Sequence, residues 1–207
     1  MSKQAQPTSF AFDADSLKLV EKAIAKYPEG RQMSAVKTLL DIAQRQVGRE
    51  TGAAWLPRAA MDVVAERLGV APIRIYEVAT FYTMFNLEPI GKYHVQLCTT
   101  TPCWLRGSDD VVAACKKATG IQKFGETSAD GLFTLREVEC LGACVNAPIV
   151  QVNDDYYEDM DAARTEALIN DLKAGKALPP AGSLAGRASS APAVGQTALL
   201  CVPAAKE

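Results

Sequence analysis

Four of the six cysteines in this 207-residue chain fall in two tight pairs, Cys98 with Cys103 in CTTTPC and Cys140 with Cys144 in CLGAC. The spacings are C-x4-C and C-x3-C, with 36 residues between the pairs. Each pair stands at the end of a stretch that reads as a strand. Over 92–98, Tyr93, Val95 and Leu97 alternate with Lys92, His94 and Gln96, the pattern of a half-buried strand. Residues 133–139 are the second such stretch, and Cys140 follows them. If the four sulfurs serve one centre, the two strands must lie near each other in one sheet, so that both pairs reach one of its edges.

The rest of the chain organises around that requirement. Residues 1–12 read as a loose lead. Over 13–89 four helices are expected in a small bundle. Leu17, Val20, Ile24 and Tyr27 mark the first, with Asp13, Asp15 and Ser16 as candidate caps. Met33, Val36, Leu40, Ala43 and Val47 mark the second, with 48–52 as a loop. The third runs from Pro57 to a stop at Gly69, and the fourth opens at Pro72 after an uncapped Ala71. Residues 90–175 give the order β-α-β-β-β-α, with helices over 109–119 and 161–174, and a hairpin across Asn153, Asp154 and Asp155. Asp161 should cap the last helix and Gly175 stop it. Residues 176–207 are mostly Ala, Pro, Gly and Ser without an aromatic residue. Such a segment cannot bury enough surface to fold alone. It is expected to be a disordered or extended tail, or an arm ordered on a partner.

Several chemistries use paired cysteines. Thiolate softness suits zinc and iron–sulfur centres alike. Zinc sites favour shorter C-x2-C knuckles and often recruit histidine, whereas this chain has one histidine, His94, which alternates outward and suggests a surface or contact role. One histidine is too few for a Rieske centre, and a thioredoxin-type dithiol needs C-x-x-C. A four-thiolate [2Fe–2S] centre fits the ligand count. A four-iron cluster fits it too, but without its bacterial C-x2-C-x2-C run, and a structural zinc clip stays open. The flanks suit a negatively charged cluster. Gly142 and Ala143 let the backbone approach sulfur, and Thr99, Thr100 and Thr101 offer N–H and hydroxyl donors. Trp104 is read as a shield or as packing, and Arg106 as a charge offset or a solvated charge. Cys115 sits on the apolar side of its helix as a buried free thiol. Cys201, in the tail, is a spare thiol.

YEVATFYTMFN (76–86), CTTTPCWLRGS (98–108) and ECLGACVNAPIVQVNDDYYEDM (139–160) resemble the thioredoxin-like [2Fe–2S] ferredoxin family, and within it the 24 kDa subunits of respiratory complex I, the NADH-quinone oxidoreductase of bacteria. The resemblance covers about 13–175. It implies an α+β chain: a helical bundle, then a thioredoxin-like α/β domain whose Cys98, Cys103, Cys140 and Cys144 bind a [2Fe–2S] cluster. It further implies a one-electron role beside the partner subunit that carries FMN and oxidises NADH, with the large iron–sulfur subunit as a second neighbour. Related subunits serve NAD-linked hydrogenases and formate dehydrogenases. No Gly-rich dinucleotide loop is present, in keeping with FMN and NADH on the partner.

Charge and hydropathy exclude other classes. The net charge is -2 without a basic block, so nucleic acid is not an expected partner. No apolar run has the length of a membrane span, and the first residues lack the layout of a secretory signal or transit peptide. The expected location is cytoplasmic, peripheral on the inner face of the bacterial plasma membrane and attached only through a complex.

Overall fold

Short polar caps and left-handed glycines delimit the elements in the computed structural model, which describes residues 6–192 together with 194 and 195. The chain divides into two units, Met1–Lys92 and Tyr93–Glu207. In the first, helix α1 (Ala14–Ile24) starts where Asp13 accepts a hydrogen bond from the Ser16 N–H at 2.6 Å. Arg49 closes the same carboxylate at 3.0 Å. A 3-10 turn (Gln32–Ala35) leads into α2 (Val36–Thr51), followed by α3 (Arg58–Leu68) and α4 (Pro72–Phe81). Val20, Leu39, Leu40, Ala43, Leu56, Val64 and Ile75 form the buried interior. As the sequence suggests, Ala71 gives α4 no side-chain cap, and Pro72 opens it.

The loop expected over 48–52 is instead the end of α2. Gly48 stays helical, and Ala54 packs over it, so a side chain would not fit there. A Cβ added there would lie 3.0 Å from the Ala54 Cβ. The helix turns off at Gly52, whose φ of +78° favours glycine.

The second unit is built on a five-stranded mixed sheet, in the order β2-β1-β3-β4-β5. Its strands are β1 (Tyr93–Cys98), β2 (Phe133–Val138), β3 (Val150–Val152), β4 (Asp155–Glu158) and β5 (Gly182–Ser183). Helices α5 (Thr101–Leu105) and α6 (Ser108–Thr119) follow β1, and α7 (Ala162–Lys173) follows β4. Asp161 caps α7 through the Arg164 N–H at 2.7 Å. Val95, Leu97, Phe133 and Leu135 from the sheet pack with Val111 and Cys115 of α6 and Ile169 and Leu172 of α7. Alternation along β1 therefore sends its odd-numbered residues toward the helices.

Two expectations need correcting. Residues 101–105 are helical, hidden from a periodicity reading by their brevity. The segment after 176 is extended, but its first part is ordered by its own unit rather than by a partner. β5 pairs in parallel with β4, Tyr157 Oη donates to the Pro179 carbonyl at 3.0 Å, and Leu178 and Leu184 pack on the core. Arg187 reaches the largely buried Asp159 at 3.1 Å. The segment has no core of its own, and the open edge of β4 supplies one. Cys201 lies outside the described residues.

Candidate metal centre

Parallel pairing brings the two cysteine pairs together. β1 and β2 run side by side with Leu97 opposite Glu137 and Cys98 opposite Val138. Both strands therefore end at the same edge. Cys98 is the last residue of β1, Cys103 follows on α5, and Cys140 lies two residues beyond the end of β2. The short 3-10 turn Cys144–Asn146 places Cys144.

The pairs differ in surroundings. Cys98 and Cys103 are buried with Ala147 and Ile149, and Leu141, Ala143 and Tyr156 pack against them. Cys140 is exposed and Cys144 half-buried, their sulfurs 3.2 Å apart. Tyr156 Oη donates to the Leu141 carbonyl at 3.0 Å and pins the loop between them. Thr99 donates to Glu137 at 2.6 Å, tying the end of β1 to β2. A cis peptide joins Ala147 to Pro148.

Donors converge on the sulfurs. The Thr100 hydroxyl stands 3.3 Å from Cys98 Sγ. The Leu141 N–H points to Cys98, the Gly142 N–H to Cys140 and the Ile149 N–H to Cys103. Burial opposes ionisation of Cys98, but hydrogen bonds from Thr100, Cys103 and Leu141 outweigh it and lower its pKa. Burial raises Cys103, helped by its hydrogen bond to Cys98. The hydrogen bond from Cys144 and the Gly142 N–H lower Cys140, while the same bond to Cys140 raises Cys144. One thiol of each pair is thus lowered and the other raised.

Among the described residues, no three His, Cys, Asp or Glu side chains are gathered so as to hold a metal ion. Two pairs of sulfurs with backbone donors suit a two-iron core, whose ligands need not meet at one point. By the chemistry of its donors, this edge fits a [2Fe–2S] cluster better than a single zinc ion, whose four ligands must converge tetrahedrally.

The other singled-out residues sort as follows. His94 is not an outward-facing contact residue. It is only 6% exposed, on an interior strand of the sheet. Its Nε2 has no hydrogen-bond partner, and burial, with Arg136, pushes its pKa down to about 4. Trp104 lies in none of the buried cores. It is 57% exposed, the next residue Leu105 is 70% exposed, and Val145, next to Cys144, is 67% exposed. Arg106 is exposed. Cys115 is a buried free thiol with its pKa pushed to about 12 by burial alone. Gly142 supplies backbone freedom more than room. Its φ is +86°, and no atom of the chain lies within 4 Å of a Cβ built there. Tyr156 and the N–H groups of Leu141 and Ile149 went unread in the sequence. Tyr156 could have been found from alternation, since it must face away from the buried Tyr157.

Residues 20–173 match the family described as thioredoxin-like [2Fe–2S] ferredoxin. The E subunit of NADH-quinone oxidoreductase from Rickettsia conorii is 55% identical over 166 residues, 80% of this chain and 96% of that protein. Mitochondrial NADH dehydrogenase [ubiquinone] flavoprotein 2 of Dictyostelium discoideum is 53% identical over 169 residues, 82% of this chain and 66% of that protein. Among solved structures, an NAD+-reducing [NiFe]-hydrogenase in its air-oxidized state superposes with a TM-score of 0.54 at 25% identity. The match covers 66% of this chain and 23% of that one.

Proposed function

Because this chain belongs to the thioredoxin-like [2Fe–2S] ferredoxin family, we propose that Cys98, Cys103, Cys140 and Cys144 hold its cluster and that it serves as the electron-carrying E subunit of an NADH-quinone oxidoreductase. The reading rests on one observation above all: the parallel register of β1 and β2, which delivers both cysteine pairs to one edge. The likeness to the Rickettsia conorii protein, over nearly the whole length of that chain, supports the choice of complex. When bound, a [2Fe–2S] cluster takes up and returns one electron.

The chain's own residues hold and tune that site. Cys98 and Cys103, with Ala147 and Ile149, form a dry inner wall. Cys140 and Cys144 form an outer wall that a partner can approach. The N–H groups of Leu141, Gly142 and Ile149 offset negative charge on the sulfurs. No general acid or base is needed, because no bond to a substrate is made or broken here.

The exposed Trp104, Leu105 and Val145, adjacent in sequence to Cys103 and Cys144, supply an apolar rim of the kind a protein partner covers. The proposed occupant is the flavin- and NADH-binding subunit, with FMN and NADH held there, and the large iron–sulfur subunit is a second neighbour. No helix among the described residues is long and apolar enough to cross a membrane. The proposed location is the cytoplasmic face of the bacterial plasma membrane, reached through the complex. The likeness to an NAD+-reducing hydrogenase favours a second reading, service in its NAD-linked module. That likeness has lower identity and covers less of this chain, so it ranks second.

Iron, acid-labile sulfide and zinc measured on anaerobically purified protein test the site. About two irons and two sulfides, EPR-silent when oxidised and paramagnetic after dithionite, are expected. Stoichiometric zinc without sulfide would overturn the reading. Cys98→Ala should lose the cluster or leave a degraded one, and full content in that variant would remove Cys98 from the ligand set. Co-purified subunits distinguish a quinone oxidoreductase from a hydrogenase.

A further inference from the structure

Thr100 occupies the N-cap position of α5 yet does not cap it. Its backbone is extended, as an N-cap requires (φ -71°, ψ 166°), but its side chain makes no capping hydrogen bond. A threonine there ordinarily turns its oxygen to the N–H groups of the first helical turn and so stabilises the helix start. Here the hydroxyl turns the other way and stands 3.3 Å from Cys98 Sγ, within reach of Cys140 as well. One hydroxyl therefore addresses a sulfur of the buried pair and a sulfur of the exposed pair. The neighbouring threonine is otherwise engaged, since Thr99 bonds Glu137.

We propose that Thr100 is a positioning and tuning residue of the centre, its hydroxyl donating to the Cys98 sulfur and raising the potential at which the bound cluster accepts its electron. The proposal rests on the ligand assignment made above. The direction of the bond follows from chemistry. In the free thiol either atom can donate, but a metal-bound thiolate has no proton, so the hydroxyl must be the donor. A donor aimed at sulfur stabilises the state with more negative charge, which is the reduced one.

The test uses the full-length loaded protein, with Thr100→Val (same shape, no hydroxyl) and Thr100→Ser (hydroxyl kept). Midpoint potentials are read from the EPR signal of the reduced cluster, and stability from thermal melts. Thr100→Val should shift the reduction equilibrium about tenfold toward the oxidised form, a fall of ~59 mV for a one-electron couple. Thr100→Ser should stay near wild type. If valine loads poorly, Thr100→Ala is titrated in its place. An unchanged potential in a fully loaded Val or Ala variant overturns the proposal while leaving the ligand assignment intact. Loss of the cluster from both, with Ser loading normally, would assign the hydroxyl to retention and overturn tuning. Failure of the ligand reading would show separately, as full cluster content in Cys98→Ala.

Discussion

Replacing Gly142 with alanine isolates what the backbone of the cysteine loop contributes. The glycine has φ +86°, and an added Cβ meets no atom of the chain within 4 Å. Overlap therefore adds nothing, and the cost is the left-handed backbone alone, about 1–2 kcal/mol for an L-residue with a side chain. That cost falls on the loop that aims the Gly142 N–H at Cys140 and the Leu141 N–H at Cys98. One to two kcal/mol corresponds to a factor of about 5–30, so the cluster should be lost from Gly142→Ala about that much faster under a chelator. Visible absorbance of the loaded protein during an EDTA challenge measures this. Gly142→Asn should fall between glycine and alanine, because asparagine tolerates the left-handed region. Gly30 is the control. It has φ +77° and equally open surroundings, but lies in the N-terminal unit. Gly30→Ala should carry a similar backbone cost with unchanged retention. Equal rates for Gly142→Ala and wild type, or equal acceleration by Gly30→Ala, would refute the reasoning.

Three further outcomes are expected. His94 has its pKa depressed from 6.5 to about 4, so the unfolded chain binds the extra proton first. The stability tied to neutral His94 is fully present above pH 6.5 and is lost as pH falls toward 4, about 3 kcal/mol in all. Denaturant titrations across that window should show the loss, and His94→Gln should flatten it. Ending the chain after Lys176 removes β5, the Arg187–Asp159 pair and the contacts of Leu178 and Leu184. Stability should drop by about 2–3 kcal/mol with iron content unchanged, and an unaltered melt would mean the arm does not hold its seat. Trp104→Glu together with Leu105→Asp should weaken binding to the flavin-containing subunit at least tenfold, without altering the EPR signal of the isolated chain. Undiminished binding would remove the apolar rim from the interface.

Local signals in the sequence were reliable where local physics decides. Asp13 and Asp161 cap helices because a short carboxylate can reach an N–H three residues on. Gly69, Gly120 and Gly175 end helices at positive φ. The two cysteine pairs, and the strands leading to them, were legible for the same reason. Their meeting was only a condition, since the register of β1 against β2 joins residues about 40 apart and no short window contains it. Alternation along β1 separates two faces but does not give the burial of either, which is why His94 was misplaced. Helix α5 is five residues long, too short to show a period. Gly48 reads as a breaker until Ala54 is seen lying over it. The arm after 176 looks structureless because what orders it, the edge of β4 and the Asp159 carboxylate, lies some 20–30 residues upstream.

The unequal burial of the two cysteine pairs makes the centre one-sided. Anything arriving through solvent meets Cys140 and Cys144 first, and Cys98 and Cys103 last. On the proposed ligand set, the inner two act as anchors and the outer two as a latch. On that reading a cluster would enter through the latch. Wear runs through the same door. On the same reading an oxidant reaches the latch before the anchors. A partner subunit seated over the latch would cover the exposed side of the proposed centre.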